Sequence, residues 1–123
     1  MGAKTTPPVI GGLRHVALKT RDLRATERFY IDVLGLVRAF PHRGMIFLQT
    51  PGSDDLLNFV ETKDPFDPTA GGFDHFGLHV PPAQWATVQA RLKEAGVTIE
   101  GRRGRSAVYI KDPNGYTLEL YID

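Results

Sequence analysis

The chain has 123 residues, with 41% hydrophobic and 24% charged residues, a formal net charge of +1 and no cysteine. This length fits one compact domain. The small net charge gives no general attraction to nucleic acid, and no apolar run approaches the roughly 20 residues of a membrane span. Without cysteine, disulfides and thiolate metal sites are excluded, which leaves His, Asp and Glu as metal ligands.

The first half of the chain contains a predicted strand, a helix and further strands. After an N-terminal arm (1–12) without the apolar stretch of a secretory signal, which indicates a cytoplasmic protein, residues 13–20 alternate between two unlike faces. A helix is predicted from Asp22, a good N-cap residue, to near Gly35. Two β-rich runs follow, at 45–50 and 56–61.

The second half repeats this plan. A helix begins around Pro81 and stops at Gly96, a residue type that favours a left-handed C-cap. The connector, 62–72, holds two prolines and two glycines. The predicted strands of this half fall at 73–80, 107–112 and 117–122.

Two units of this kind define the predicted fold class. We expect an α+β domain at 13–122, made of two tandem βαβββ modules at about 13–61 and 73–122. The chain is too short for two independent domains, so the two modules share one domain.

The repeat places two histidines at equivalent positions, His15 and His75. A single histidine in a strand is more often a structural residue than a metal ligand. Two equivalent strands packed around a shared axis, however, would bring both imidazoles together, and Glu119 in the closing strand adds a carboxylate. Two imidazoles and one carboxylate form a facial triad that leaves positions open for water, dioxygen or substrate. The predicted metal ligands are therefore His15, His75 and Glu119.

Other side chains are expected to surround this site. Asn58 occupies the place that matches Glu119, and because an amide is a poor ligand beside a carboxylate, we expect it to contact substrate. Phe47 and Tyr109 are equivalent aromatics predicted to face the metal cavity, although filling the core is the commoner role. The Tyr109 phenol is the expected catalytic hydrogen-bond donor. Tyr121 shares the strand face of Glu119 and is a further predicted substrate contact.

A basic cluster and two further histidines lie outside the predicted triad. The basic cluster around Arg103 lies among glycines and is either a solvated loop or a clamp for a substrate anion, with Arg103 as the contact residue. His79 shares a strand face with His75, but about 13 Å of extended chain separates them, so it cannot share the ion. His42 is expected in a loop at 38–44.

The sequence resembles a single-domain member of the vicinal oxygen chelate superfamily, which includes glyoxalase I, fosfomycin-resistance proteins, bleomycin-resistance proteins and extradiol dioxygenases. The resemblance covers about 13–122. It is carried by LRHVALKTRDLRATERFYIDVLGL, DHFGLHV, KEAGV and YIKDPNGYTLEL. It implies curved mixed sheets around a metal cavity with helices outside, and a homodimer in which His15 of one subunit joins His75 and Glu119 of the other.

Departures from the patterns of these relatives separate the possible activities. Asn58 stands where glyoxalase I has a fourth metal ligand, and Ala17 stands where fosfomycin-resistance proteins carry threonine. No histidine precedes Tyr109 where extradiol dioxygenases have an acid/base residue. The complete triad disfavours a bleomycin-binding protein, because those members lack metal ligands.

The leading functional hypothesis is a metal-dependent dioxygenase-like or lyase-like enzyme whose small substrate chelates the ion through adjacent oxygens. Fe(II) or Mn(II) is the favoured ion, with Ni(II) or Zn(II) as alternatives. The competing hypotheses are a non-catalytic binding or sequestration protein of the antibiotic-resistance type, and a glyoxalase I-like lyase. No nucleic-acid or membrane partner is expected.

Overall fold

The computed structural model describes residues 9–123, so most of the predicted N-terminal arm lies outside the described residues. The first module consists of β1 (His15–Thr20), α1 (Leu23–Arg28), β2 (Val37–His42), β3 (Met45–Gln49) and β4 (Leu56–Glu61). The second consists of β5 (Phe76–His79), α2 (Trp85–Glu94), β6 (Gly101–Arg103), β7 (Ala107–Lys111) and β8 (Thr117–Tyr121).

Each module forms one four-stranded sheet, and the two sheets have the same topology. The strand orders are β1-β4-β3-β2 and β5-β8-β7-β6. The first strand of each module runs parallel to the last, and the other pairs are antiparallel. The predicted α+β fold with two βαβββ modules is confirmed.

Helix α1 begins and ends where its sequence signals indicate. The Asp22 side chain accepts a hydrogen bond from the Ala25 amide at 3.0 Å, which caps the first turn. The helix continues into a π-helical turn at Phe29–Val33. Gly35 then adopts φ +79°, a conformation that disfavours residues with a Cβ.

The prediction of a loop at 38–44 is wrong for most of that range, because β2 spans Val37–His42 and includes His42. This strand lies at the end of its sheet. Proline has no N–H to donate to a neighbouring strand, and an edge strand tolerates this because only one of its sides is paired. The arginine cluster is also partly a strand, since Arg103 belongs to β6. Both edge strands contain residues that are typical of turns, Pro41 in β2 and Gly101 in β6, so neither strand is evident from the sequence.

Alternation in the strands separates a core face from an open face. Leu48, Phe59, Leu118 and Leu120 point into the core and are at most 2% exposed. The opposite faces carry the candidate site residues in matching pairs. Phe47 pairs with Asn58 across β3 and β4, and Tyr109 pairs with Glu119 across β7 and β8. The expected equivalence of the two pairs is therefore confirmed.

A buried polar network joins the two modules. The Tyr30 hydroxyl in the first module donates a hydrogen bond to Asp112 Oδ2 in the second module at 2.8 Å. Asp112 also accepts from the backbone amides of Asn114 and Tyr116. Burial raises the pKa of Asp112 and outweighs these hydrogen bonds, which act in the opposite direction. The Tyr116 hydroxyl in turn donates to the Lys19 carbonyl at 2.8 Å, so β1 is tied to the turn before β8.

Candidate functional site

Two of the three predicted metal ligands lie side by side on the second sheet. His75 immediately precedes β5, and Glu119 is the middle residue of β8, the parallel neighbour of β5. The His75 Nε2 and Glu119 Oε1 atoms are 3.2 Å apart. Parallel pairing, with Gly77 opposite Glu119, brings this imidazole and this carboxylate to the same side of the sheet.

Asp74 fixes the orientation of the His75 ring. Its Oδ1 lies 2.6 Å from His75 Nδ1, and the ring packs edge-on against Tyr109 with centroids 5.5 Å apart. The hydrogen bond to Asp74, followed by the weaker one to Glu119, raises the pKa of His75. A carboxylate that holds one imidazole nitrogen is the usual partner of a histidine that binds metal through the other nitrogen.

This arrangement fits a cation. When neutral His75 donates its Nδ1 proton to Asp74, its Nε2 carries a lone pair and faces the carboxylate oxygen of Glu119. Two acceptors at 3.2 Å repel each other unless a proton or a positive ion lies between them. A nitrogen and a carboxylate oxygen together suit a divalent transition metal.

Arg103 holds the second oxygen of Glu119. Its Nε and Nη2 atoms donate to Glu119 Oε2 at 3.2 and 2.8 Å. The side chain of Glu119 is 14% exposed, and Arg103 is the main reason that its pKa is lowered. Neither interpretation of the arginine cluster as solvated loop or substrate clamp includes this ion pair.

Asp123 anchors the same guanidinium. It accepts from Arg103 Nη1 at 2.7 Å through Oδ2 and from Nη2 at 3.0 Å through Oδ1. The two carboxylates raise the pKa of Arg103, which stays charged at any physiological pH. Arg103 is thus bound to two acidic side chains, Glu119 in the middle of β8 and Asp123 just after this strand.

His15 is exposed on β1 and does not join this pair. It lines a cleft of about 420 Å³ together with His75 and the apolar residues Leu56, Phe76 and Leu78. Within residues 9–123, no three acidic or histidine side chains are grouped closely enough to hold a metal ion. One chain therefore supplies two neighbouring candidate ligands, and the third lies elsewhere on the cleft wall.

Tyr121 packs over a glycine on the neighbouring strand. A Cβ added to Gly77 would come within 2.9 Å of Tyr121 Cε1, so the ring occupies the space that a side chain at position 77 would need. The Tyr121 ring also meets the His79 ring in an edge-on arrangement, with centroids 5.4 Å apart. On this sheet face, Tyr109 lies opposite Glu119 on β7, and Tyr121 follows Glu119 by two residues on β8.

The equivalent face of the first sheet is aromatic and uncharged at its centre. Phe47 stacks on Phe40 with ring centroids 4.5 Å apart, and Phe40 is 44% exposed. Asn58 is buried, and its amide donates to the Ile46 carbonyl at 3.0 Å. One N–H of the Asn58 amide is used by the Ile46 carbonyl, and the amide nitrogen also lies 3.8 Å from Met45 Sδ. The side-chain oxygen of Asn58 is therefore the group that it offers most readily to a substrate.

Sequence reasoning missed the supporting residues Asp74, Gly77 and Asp123. An available signal was the Asp-His dipeptide at 74–75, since a carboxylate next to a candidate ligand often orients it. The contacts of Gly77 and Asp123 depend on strand register and on the reach of Tyr121 and Arg103. No local motif in the sequence encodes them.

Comparison with known proteins assigns the family. The model of the Glyoxalase/Bleomycin resistance protein/Dioxygenase superfamily matches residues 12–120, and the chain belongs to this superfamily. A curated relative, glutathione transferase FosA from Serratia marcescens, is 25% identical over 116 residues, which cover 93% of this chain and 82% of that protein.

Solved structures share the fold of this chain. A glyoxalase/dioxygenase from Nostoc punctiforme superposes with a TM-score of 0.81 at 19% identity, over 100% of this chain and 98% of the other. Lactoylglutathione lyase from Agrobacterium tumefaciens superposes with a TM-score of 0.70 at 26% identity, over 95% and 96%. Among the described residues, no helix is both long and apolar enough to cross a membrane.

Proposed function

We propose that this protein is a metal-dependent enzyme that binds one divalent cation through His75 and Glu119 and acts on a small substrate with two adjacent oxygens. The observation that carries the proposal is the 3.2 Å approach of His75 Nε2 to Glu119 Oε1, with His75 Nδ1 already bound to Asp74. Fe(II) and Mn(II) suit this mixed nitrogen and oxygen set best, and Ni(II) and Zn(II) are alternatives.

The third ligand is proposed to be His15 from a second copy of the chain. The strands β1 and β5 each lie at the end of their sheet and have an unpaired edge. His15 at the start of β1 is exposed, and the cleft beside both strands is lined by apolar side chains. A homodimer would cover these edges and bring His15 of one subunit to His75 and Glu119 of the other.

The residues around the pair have distinct proposed roles. A bound divalent ion would supply Lewis acidity or a site for dioxygen. Asp74 keeps His75 oriented, and Tyr109, whose ring contacts the His75 ring, is placed to donate or accept a proton at a substrate oxygen. Phe47 and Tyr121 are proposed as walls of the substrate site. Arg103 and Asn58 are proposed to line it with polar groups that are already partly engaged.

The reaction is proposed to be dioxygenase-like or lyase-like. Similarity to a lactoylglutathione lyase over nearly the whole chain supports a lyase of the glyoxalase I type as the second candidate. Asn58 argues against that candidate, since it places an amide, hydrogen bonded to the backbone, where a fourth ligand would be needed.

Metal reconstitution tests the proposal. Protein freed of metal is loaded anaerobically with Fe(II), Mn(II), Ni(II) or Zn(II), and bound metal is measured after gel filtration. We expect about one ion per chain for the wild type and for His79→Ala, a control histidine four residues further along the chain, and strong loss for His75→Ala. Equal metal content in His75→Ala and the wild type would contradict the site.

Loaded protein is then assayed with a catechol, a hemithioacetal and an epoxide. Turnover of the catechol with oxygen uptake supports the dioxygenase-like reaction. Efficient turnover of the hemithioacetal, with kcat/KM above about 10⁵ M⁻¹s⁻¹, would instead favour the glyoxalase I-like lyase. Metal binding with tight substrate binding but no turnover would indicate a sequestration protein and contradict the enzyme.

A further inference from the structure

The two oxygens of Glu119 have different partners. Oε1 faces His75 Nε2 at 3.2 Å, whereas Oε2 receives two hydrogen bonds from the guanidinium of Arg103. A carboxylate can offer a metal one oxygen or both, and the number offered changes how many positions remain for other ligands. The partner of Oε2 therefore bears directly on how Glu119 can bind a cation.

Arg103 reaches Glu119 across an intervening strand. β6 pairs with β7, and β7 pairs with β8, so the Arg103 side chain must pass over β7. The residue opposite Arg103 on β7 is Ala107, whose side chain ends at Cβ. The next residue along β7, Val108, points to the core, so Ala107 lies on the open face of the sheet. Ala107 is nevertheless only 1% exposed, which means that this position is covered. A larger residue at this position would obstruct the reach of Arg103.

Asp123 holds the guanidinium in place. It takes two hydrogen bonds, one from each terminal nitrogen of Arg103, at 2.7 and 3.0 Å. Such a paired contact fixes the plane of the guanidinium as well as its position. The Arg103 side chain is 47% exposed, so solvent alone would not restrain it. Held this way, Arg103 presents its Nε and Nη2 atoms to Glu119 Oε2.

We propose that Arg103 is a positioning residue that occupies Oε2 of Glu119 and leaves Oε1 alone available to a cation. This proposal rests on the proposed metal site at His75 and Glu119. Its consequence is a carboxylate restricted to one donor atom, with a fixed positive charge close behind it. Both effects weaken the hold of the protein on the metal and keep a coordination position free for a substrate that binds through two oxygens.

Removal of Arg103 distinguishes two possible roles by the direction in which the metal affinity changes. If Arg103 served only to keep Glu119 in place, its removal would weaken metal binding. If Arg103 limits Glu119 to one oxygen, its removal frees Oε2 and removes a repelling charge, so metal binding tightens. Removal of outer residues of metal sites typically lowers metal affinity by about 10- to 100-fold. For Arg103 we expect a change of about the lower size in that range, in the opposite direction.

The experiment compares metal affinities of metal-free wild type, Arg103→Ala and Arg102→Ala by chelator competition with Zn(II) and Co(II). Arg102→Ala is the matched control, because it removes the same charge from the same strand, one residue away and on the other face. We expect Arg103→Ala to bind about 10-fold more tightly than wild type, Arg102→Ala to differ little, and Arg103→Lys to fall between.

A spectroscopic measurement adds a test that does not depend on affinity. In the Co(II)-loaded protein, a second oxygen from Glu119 raises the coordination number, so we expect weaker visible absorption per ion for Arg103→Ala than for the wild type. Asp123→Asn should change the spectrum in the same direction by a smaller amount, since it loosens Arg103 without removing it.

The outcomes separate the two proposals. Weaker metal binding by Arg103→Ala, or binding equal to that of Arg102→Ala with an unchanged Co(II) spectrum, would overturn the role of Arg103 and leave the metal site intact. No metal binding by the wild type, or undiminished binding by Glu119→Ala, would overturn both proposals. Arg103→Lys provides the decisive comparison if Arg103→Ala does not fold.

Discussion

The two modules share a backbone plan but differ in chemistry at the same position. On the first sheet, Asn58 pairs with Phe47, is buried, and bonds to a backbone carbonyl. On the second sheet, Glu119 pairs with Tyr109 and contacts a histidine and an arginine. The repeat thus builds two equivalent open faces, and a single side chain on each gives only the second a carboxylate beside a histidine.

Exchanging the residue that distinguishes the two modules has the largest expected effect. Glu119→Asn gives the second module the side chain of the first, and removes both the charged donor beside His75 and the acceptor of Arg103. We expect metal affinity to fall by at least about 100-fold, since a neutral amide is a weak ligand for these ions. Isothermal titration of the metal-free protein measures the change. Metal affinity that survives Glu119→Asn at the wild-type level would show that the second sheet does not hold the ion.

Asn58→Glu is the converse exchange. Asn58→Glu alone should leave the pair of His75 and Glu119 unchanged within one chain. If the site is shared as proposed, the added carboxylate should tighten metal binding and slow any reaction that needs an open position.

Removal of Asp112 from the buried polar network between the modules is expected to have the next largest effect, a loss of stability. Asp112→Ala removes the acceptor of Tyr30 and of two backbone amides, and leaves the Tyr30 hydroxyl and the Tyr116 amide buried without this partner. We expect a loss of about 3 kcal/mol in the free energy of unfolding, because buried donors without partners are costly. Urea denaturation measures it, with the exposed Asp64→Ala as control. A loss below about 0.5 kcal/mol, the range of ordinary surface changes, would contradict a joining role for this network.

The contact between Gly77 and Tyr121 predicts a smaller effect. A methyl group at position 77 meets the tyrosine ring at 2.9 Å, whereas one at Gly101 meets Tyr109 at 3.7 Å, an ordinary contact. We expect Gly77→Ala to lower the free energy of unfolding by about 1 kcal/mol more than Gly101→Ala does, because the ring must shift. The two variants are compared by urea denaturation. Equal stability of the two variants would mean that Tyr121 moves without cost.

The smallest effect concerns the protonation of His75 in metal-free protein. Asp74 raises the pKa of His75, so this ion pair stabilises the fold below about pH 6.5, the ordinary histidine pKa, and the stabilisation is lost as the pH rises through the raised pKa. NMR titration of the His75 ring should give a pKa that drops in Asp74→Asn and stays unchanged in Asp64→Asn. A pKa of His75 that does not change in Asp74→Asn would contradict this contact.

The sequence predicts most of the fold because its signals are local. Alternation identifies the inner strands, Asp22 marks the start of α1, and glycines with positive φ mark the ends of both helices. The strand β2 was missed since edge strands tolerate residues such as Pro41 that suggest turns. Local patterns report what a strand buries, and an edge strand buries little.

The candidate site could be predicted only in part. The internal repeat matches His15 with His75, and the facial-triad chemistry adds Glu119. The bonds of Glu119 to Arg103 depend on the register of three strands and on a small residue, Ala107, between them. Such contacts join residues that are distant in sequence, so no spacing rule encodes them.

Subunit mixing tests whether the metal site is shared between two chains. In the proposed site, His75 and Glu119 of one chain bind a divalent ion together with His15 of a second chain. His15→Ala and Glu119→Ala chains, each unable to hold metal as homodimers, are unfolded together, refolded and separated by tags into pure heterodimers. One of the two sites in each heterodimer then contains both substitutions, and the other contains neither. We predict about one Zn(II) per heterodimer, and no bound metal in a verified heterodimer would contradict a site shared between chains.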